Sequence, residues 1–174
     1  MADDERWITI DGRRWRRTDP GIPEGFRVEL VAELMEARRA VGGARRQDDE
    51  AAEASARRRV HDAKVALGER GPKWWDELEP AARRPRVEAT IRALLRHRTG
   101  KTICPSDVAR TIGGSQWRSL LPLVREVAGT MVAGHQLRIT QKGADVSDPT
   151  DLRGPVRFVL PAADPPTTAD SVAE

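Results

Sequence analysis

Hydrophobic positions along the chain recur with two different periods, and the changes of period divide it into elements. Trp7, Ile8, Thr9 and Ile10 lead into Asp11-Gly12 and then into the run from Arg13 to Arg17 that carries Trp15. Asp-Gly between two strand-like runs predicts a hairpin with a type I′ turn, setting Ile8 opposite Trp15 and Ile10 opposite Arg13. A two-stranded ribbon is marginal by itself, so Trp15 is expected to pack on the helices that follow. From Pro23 the period lengthens. Phe26, Leu30, Leu34, Ala37 and Val41 form one helical stripe reaching to about Arg46, weakened at Gly42-Gly43 by about 1 kcal/mol per glycine. Ala52, Ala56, Val60, Ala63 and Leu67 repeat the stripe in a second helix, with Asp48-Asp49 as caps and Gly68 as its stop. Two stripes joined by a short turn predict an antiparallel helical hairpin. Its second stripe is mostly alanine and buries little, so the hairpin needs cover from the ribbon, a second protomer or the rest of the chain.

Beyond Gly71-Pro-Lys-Trp-Trp-Asp, where Trp74 or Trp75 is expected to plug the junction between the halves, Pro80 to Pro85 reads as a linker. A helix from Pro85 to about His97 follows, with Val87, Ile91, Leu94 and Leu95 on its inner side, and Lys101–Ile103 reads as a short strand. Pro105 suits the first position of the next helix, which Gly113-Gly114 ends. Ser115 is read as the cap of a further stretch that Pro122 divides into a first turn and a fresh helix to Val132. Leu137 and Ile139 alternate with Arg138 and Thr140, which is strand spacing. A loop from Gln141 to Gly154 then leads to a last strand at Val156–Leu160. Helix, turn, helix, strand and basic loop is the order of a winged helix-turn-helix. The expected class is mainly α with small β elements: a β-hairpin plus helical hairpin over 1–80, a winged helix-turn-helix over 83–160, and a disordered acidic tail over 161–174.

The second half also resembles a small bacterial winged-helix domain family of unknown function. The words that carry this are KTICPSDVAR at 101–110, WR at 117–118, PLVR at 122–125, ITQKG at 139–143 and GPVR at 154–157. The first half is similar to a segment of uncharacterised bacterial proteins, through GRRWRRTDP, ELVAELMEARRAV and ALGERG. The first resemblance implies a winged-helix fold. Neither implies an activity or hands over a binding residue.

Composition narrows the picture. No apolar run reaches the length of a membrane helix, and the acidic opening MADDERW has no apolar core, so a cytoplasmic protein without signal peptide is expected. One cysteine excludes an internal disulfide and a cysteine-based zinc site, and His61, His97 and His135 have no ligand spacing. Cys104, beside a helix start and without a histidine partner, is expected to be structural. Neither a phosphate-loop glycine pattern nor a His-Glu metal motif is present, so no enzyme activity and no cofactor are expected. Charge is unevenly spread. Residues 82–160 hold 14 Lys and Arg against 6 Asp and Glu, a net +8, whereas residues 1–81 hold 16 against 18, a net −2. Such a basic half is the footprint of a polyanion partner.

Together these readings point to a small regulator or nucleoid-associated factor that binds duplex DNA. The 116–132 segment would enter the major groove, with Arg118 and Arg125 touching bases or phosphates. Lys142, Arg153 and Arg157 would hold the backbone. The helical hairpin would make a homodimer for two half-sites. The alternative is a protein-interaction module that keeps the winged-helix fold without DNA, using Trp74, Trp75 or the helical hairpin. The apolar run at 120–124 favours that second reading.

Overall fold

The computed structural model describes residues 3–146 and 154–161. The chain is mainly helical with small antiparallel β elements. A 3-10 turn, Asp3–Arg6, leads into β1 (Trp7–Ile10) and β2 (Arg13–Arg16), which pair as the alternation requires: Ile8 faces Trp15 and Ile10 faces Arg13. Asp11 and Gly12 both take positive φ, the type I′ geometry that matches strand twist.

Helix α1 (Glu24–Arg46) runs through Gly42-Gly43 without ending. Ala37 and Ala44 are buried on either side of the glycine pair, and that packing outweighs the weak propensity. The helix stops where Asp48 turns left-handed; Asp48 and Asp49 N–H return to the carbonyls of Arg45 (3.3 Å) and Ala44 (3.0 Å). Asp49 then caps α2 (Glu50–Ala66), its carboxylate accepting from Ala52 N at 2.8 Å. The same reversal recurs at Gly68, whose φ of +79° suits glycine. Across the hairpin Arg59 grips the fully buried Glu33 with two 2.9 Å hydrogen bonds. That grip holds the Arg59 guanidinium pKa above its ordinary value.

Helix α3 begins at Pro80, not Pro85, and runs to His97. The expected linker is therefore its first turns. Pro80 occupies a first-turn position where its missing N–H costs nothing, and Pro85 comes early enough to remove only one intrahelical bond. Val87, Ile91, Leu94 and Leu95 are buried, as is Ala93. After Gly100, Ile103 exchanges two backbone hydrogen bonds with Phe158. Helix α4 (Pro105–Gly113) follows, then a 3-10 segment, Gly114–Leu120, then α5 (Leu121–Ala133). Ser115 does not cap the 3-10 segment: that segment starts from Gly113, and Gly114 supplies the turn with a φ of +49°. A sheet closes this half in the order β4 (Ala144–Asp145), β3 (Arg138–Gln141), β5 (Arg157–Val159). The 141–154 loop therefore opens with a tight hairpin turn at Lys142-Gly143, before the chain crosses to the other edge of β3.

One hydrophobic core runs through both halves, from Ile22, Leu30, Leu34 and Leu67 through Ile91 and Leu94 to Val127, Ile139 and Phe158. Helix α3 touches α1, α2, α4 and α5 and is its centre. Ion pairs follow the same seam. Arg86 meets Asp19 at 2.7 Å, and Arg96 and Arg92 share Asp62 at 2.7 and 3.2 Å. Arg98 lies 2.7 Å from Glu29 and 3.0 Å from Asp107, and the Glu29 hydrogen bonds, ahead of Asp107, raise its pKa. Trp74 and Trp75 are both half-buried; Trp75 packs against the N-terminal hairpin, whereas Trp74 also lines a small cleft with Arg83, Arg86 and Ile112 of the second half. Trp74 Nε1 donates to the Arg17 carbonyl at 3.1 Å, and Trp75 meets Trp7 edge-on at 5.8 Å. The expectation for the 161–174 tail concerns residues that, past Pro161, lie outside those described.

Candidate nucleic-acid interface

The basic surplus of residues 82–160 looks different once partners are assigned. Arg84, Arg86, Arg92, Arg96, Arg98 and Arg138 each sit in an ion pair, and the acids for Arg86, Arg96 and Arg98 include Asp19, Asp62 and Glu29 of the first half. Much of the charge asymmetry is thus spent in holding the halves together. Among the described residues, Arg83, Lys101, Arg110, Arg118, Lys142 and Arg157 have no carboxylate at ion-pairing distance; Arg83 donates to the Leu78 carbonyl at 3.3 Å.

Their local settings differ. Helix α5 buries Leu123, Val124, Val127, Ala128 and Met131, which accounts for the apolar run read from sequence. Its outer face carries Glu126, paired with Arg84, and Thr130, whose hydroxyl accepts from Arg84 at 3.2 Å. Arg125 is half-buried and donates to the Gly154 carbonyl at 3.4 Å, a long bond linking α5 to the start of the last strand segment. Arg118 is exposed on the 3-10 segment, its guanidinium carbon 4.5 Å from the Trp117 ring centroid. Arg110, near the end of α4, stacks on the same indole at 4.7 Å. Two guanidinium groups on one half-buried tryptophan form a cationic cluster around its indole. Sequence reading singled out Trp117-Arg118 but not Arg110; its place at a helix end just before the glycine turn, seven residues from Trp117, was the available signal.

Lys142 is exposed at the β3–β4 turn with a φ of +52°, and Arg157 is exposed on β5 opposite Thr140. Arg153 lies outside the described residues. Among the described residues, no shared acceptor joins Arg118, Arg125, Lys142 and Arg157 into one network; they are separate contacts on adjoining elements. Arg138, on the same strand as the turn, is neutralised by Asp145 at 2.8 Å.

Residues 84–161 match the model of a family described as "Protein of unknown function (DUF3253)". The matched segment holds α4, α5, the sheet, the Trp117 cluster and nearly all of α3, while Asp19, Glu29 and Asp62, which pair with its arginines, lie outside it. No curated protein matches the chain. Among the described residues, no helix is long and apolar enough to cross a membrane.

Proposed function

We propose that residues 84–161 form a winged-helix module that binds duplex DNA. In this reading α4 and α5 are the helix-turn-helix, the 141–154 loop is the wing, and Ile103, β5 and β3 are its small sheet. The observation that carries the reading is where four of the cations without an intramolecular carboxylate stand. Arg110 and Arg118 stand at the turn between the two helices, Lys142 at the tip of the β3–β4 turn and Arg157 on the adjoining strand. These are the elements a winged helix presents to a duplex. Arg118 and Arg110, pre-oriented on Trp117, suit phosphate or a guanine edge, and Lys142 and Arg157 suit backbone phosphates. The paired Glu126 on the outer face of α5 makes the contact shallow: the helix-to-helix turn, more than the middle of α5, meets the DNA.

Anisotropy of a labelled random duplex, titrated with the full chain at two salt concentrations, tests this. With four phosphates neutralised, log affinity falls with log salt at a slope of about −3.6. Lys142→Ala reduces that slope by about 1 on every sequence, as a phosphate contact does. Arg118→Ala costs about 1–3 kcal/mol on a preferred site if it reads a base. Salt-independent association, or no anisotropy change with micromolar protein at low salt, refutes DNA binding and leaves a protein-interaction role for the same fold.

A further inference from the structure

The first half carries a second surface that DNA binding does not use. Among the described residues, the large exposed hydrophobics are Ile8, Ile10, Trp15, Val28 and Met35. All but Val28 line one open groove of about 1020 Å³ between the β1–β2 hairpin and helices α1 and α2. Trp15 is 42% exposed and Ile10 51%, so the hairpin does not turn its apolar side chains fully into the helices as the alternation suggested. Val31 and Leu34 continue the apolar floor from α1. Exposed apolar side chains gathered on one concave surface mark an interaction site far more often than the same residues scattered.

Charge narrows the occupant. Arg13, Arg38 and Arg70 line this groove, are exposed, and have no carboxylate at ion-pairing distance among the described residues. The neighbouring cations are engaged. Arg16 donates to the carbonyls of Gly68, Gly71 and Pro72, Lys64 lies 3.6 Å from Glu69 and 5.1 Å from the Trp15 ring, and Arg14 stacks 4.9 Å from Trp7. Of the two acids in the wall, Glu69 is held by Lys64 and by the Thr18 hydroxyl at 3.0 Å, leaving only Asp11 at the turn. An apolar floor under a basic rim complements a segment that alternates acidic and large apolar side chains. The hairpin is a two-stranded sheet, so each of its strands has an outer edge with no strand neighbour among the described residues. An extended segment can add there by backbone pairing while its side chains fill the groove.

We propose that this groove docks an extended, acidic segment bearing large apolar residues from a protein partner. Aliphatic Ile8, Ile10 and Met35 give nothing to a base face, so nucleic acid is the poorer fit.

The test uses the full chain and a fluorescein-labelled twelve-residue peptide of alternating glutamate and leucine, read by anisotropy. Controls are the same peptide with lysine for glutamate, and a twelve-nucleotide single strand of DNA. The acidic peptide is expected to bind, the lysine peptide to fail, and Arg38→Glu and Arg70→Glu each to weaken binding about tenfold, by converting attraction at the rim into repulsion. Both arginines are exposed, so circular dichroism should show the variants folded; Ile10→Ser, at another exposed position, tests the apolar half of the site and should weaken binding as well. Absence of peptide binding at about 100 μM overturns the proposal, since that corresponds to less than about 5.5 kcal/mol of affinity. Binding that ignores all three substitutions overturns it too. If the oligonucleotide displaces the peptide and itself weakens with Arg38→Glu, the groove takes nucleic acid. If sedimentation shows a dimer that Ile10→Ser dissolves, a second copy fills it. Either result replaces the protein partner.

Discussion

Replacing Asp19 by asparagine removes one charge from the seam between the halves and changes almost no volume. In the native chain Asp19 Oδ2 accepts from Arg86 Nη2 at 2.7 Å and Oδ1 from Gly21 N at 2.8 Å. The two side chains are 10% and 9% exposed. An exposed pair of this kind would contribute about 0–1 kcal/mol. Breaking a buried one costs about 3–5 kcal/mol, because the remaining charge is left uncompensated. Arg86 has only the Ala66 carbonyl to fall back on, 3.3 Å from both Nε and Nη2. Asparagine keeps the acceptor for Gly21, so the loss isolates the charge. At about 2–4 °C per kcal/mol for a chain of this size, Tm falls by roughly 6–20 °C. Urea unfolding followed by tryptophan emission and by far-ultraviolet circular dichroism gives the free energy, and the transitions should coincide if the halves unfold together. Asp19→Asn with Arg86→Met should lose less than the sum of the two changes, with a coupling of at least about 2 kcal/mol. Additive losses, or a single-variant loss under about 1 kcal/mol, would refute the claim that this pair is buried and holds the seam.

Other outcomes follow from single sites. Gly68→Ala should destabilise by more than about 1 kcal/mol in the same assay, because it strains a left-handed residue and sets a Cβ 2.9 Å from Trp74 Cδ1 and 3.1 Å from Asp19 Cβ. Cys104 begins α4, with its N–H donating to Asp107 at 3.1 Å and its Sγ 2.8 Å from Ser106 Oγ. Cys104→Ser, which puts a better capping side chain there, should leave Tm unchanged or raise stability by up to about 1 kcal/mol. The Glu53 carboxyl is held below its ordinary value by hydrogen bonds from Arg45 first and Arg57 next. Its contribution is therefore present above the ordinary glutamate value of about 4.3 and lost as pH falls through the lower folded value. Glu53→Gln should flatten the fall of Tm with pH below about pH 4.

Local rules made most of the elements legible. Asp-Gly gave the hairpin and its register, Asp49 the start of α2, and Gly113-Gly114 with Pro122 the break between α4 and α5. The stripe ending near Arg46 also placed the end of α1, with Ala37 and Ala44 buried on either side of Gly42-Gly43. Proline at 80 and 85 suggested a linker, but Pro80 suits a first-turn position and Arg84 ties that turn to Glu126 and Thr130 of α5. That tie is a tertiary contact, and tertiary contacts are not local. The candidate interface was half visible for the same reason. Arg118, Lys142 and Arg157 stand exposed as expected, but the net charge of their half could not show that Arg86, Arg96 and Arg98 are committed to Asp19, Asp62 and Glu29. Nor could spacing alone show that Arg110 and Arg118 share one indole. The exposed hairpin was misjudged because strand alternation says which side chains lie on one face, not whether that face is covered.

The seam has a consequence for the order in which the chain acquires structure. Asp19 and Arg86 are 67 residues apart, and Glu29 and Arg98 are 69 apart. When α2 leaves the ribosome it can pack on α1, but the carboxylate of Asp62 and the side of the hairpin that α3 covers have no partner, because α3 is not yet made. At about 5–20 residues per second the wait for α3 is a second or more, far longer than helix formation needs. The amino-terminal half thus passes through synthesis as a helical hairpin with one side uncovered, and α3 completes its core. Partnerships across such separations slow folding relative to a bundle of local hairpins. An excised 84–161 fragment would meet the mirror image of this problem: Arg86, Arg92 and Arg96 of α3, and Arg98 just beyond its end, would emerge with Asp19, Glu29 and Asp62 missing.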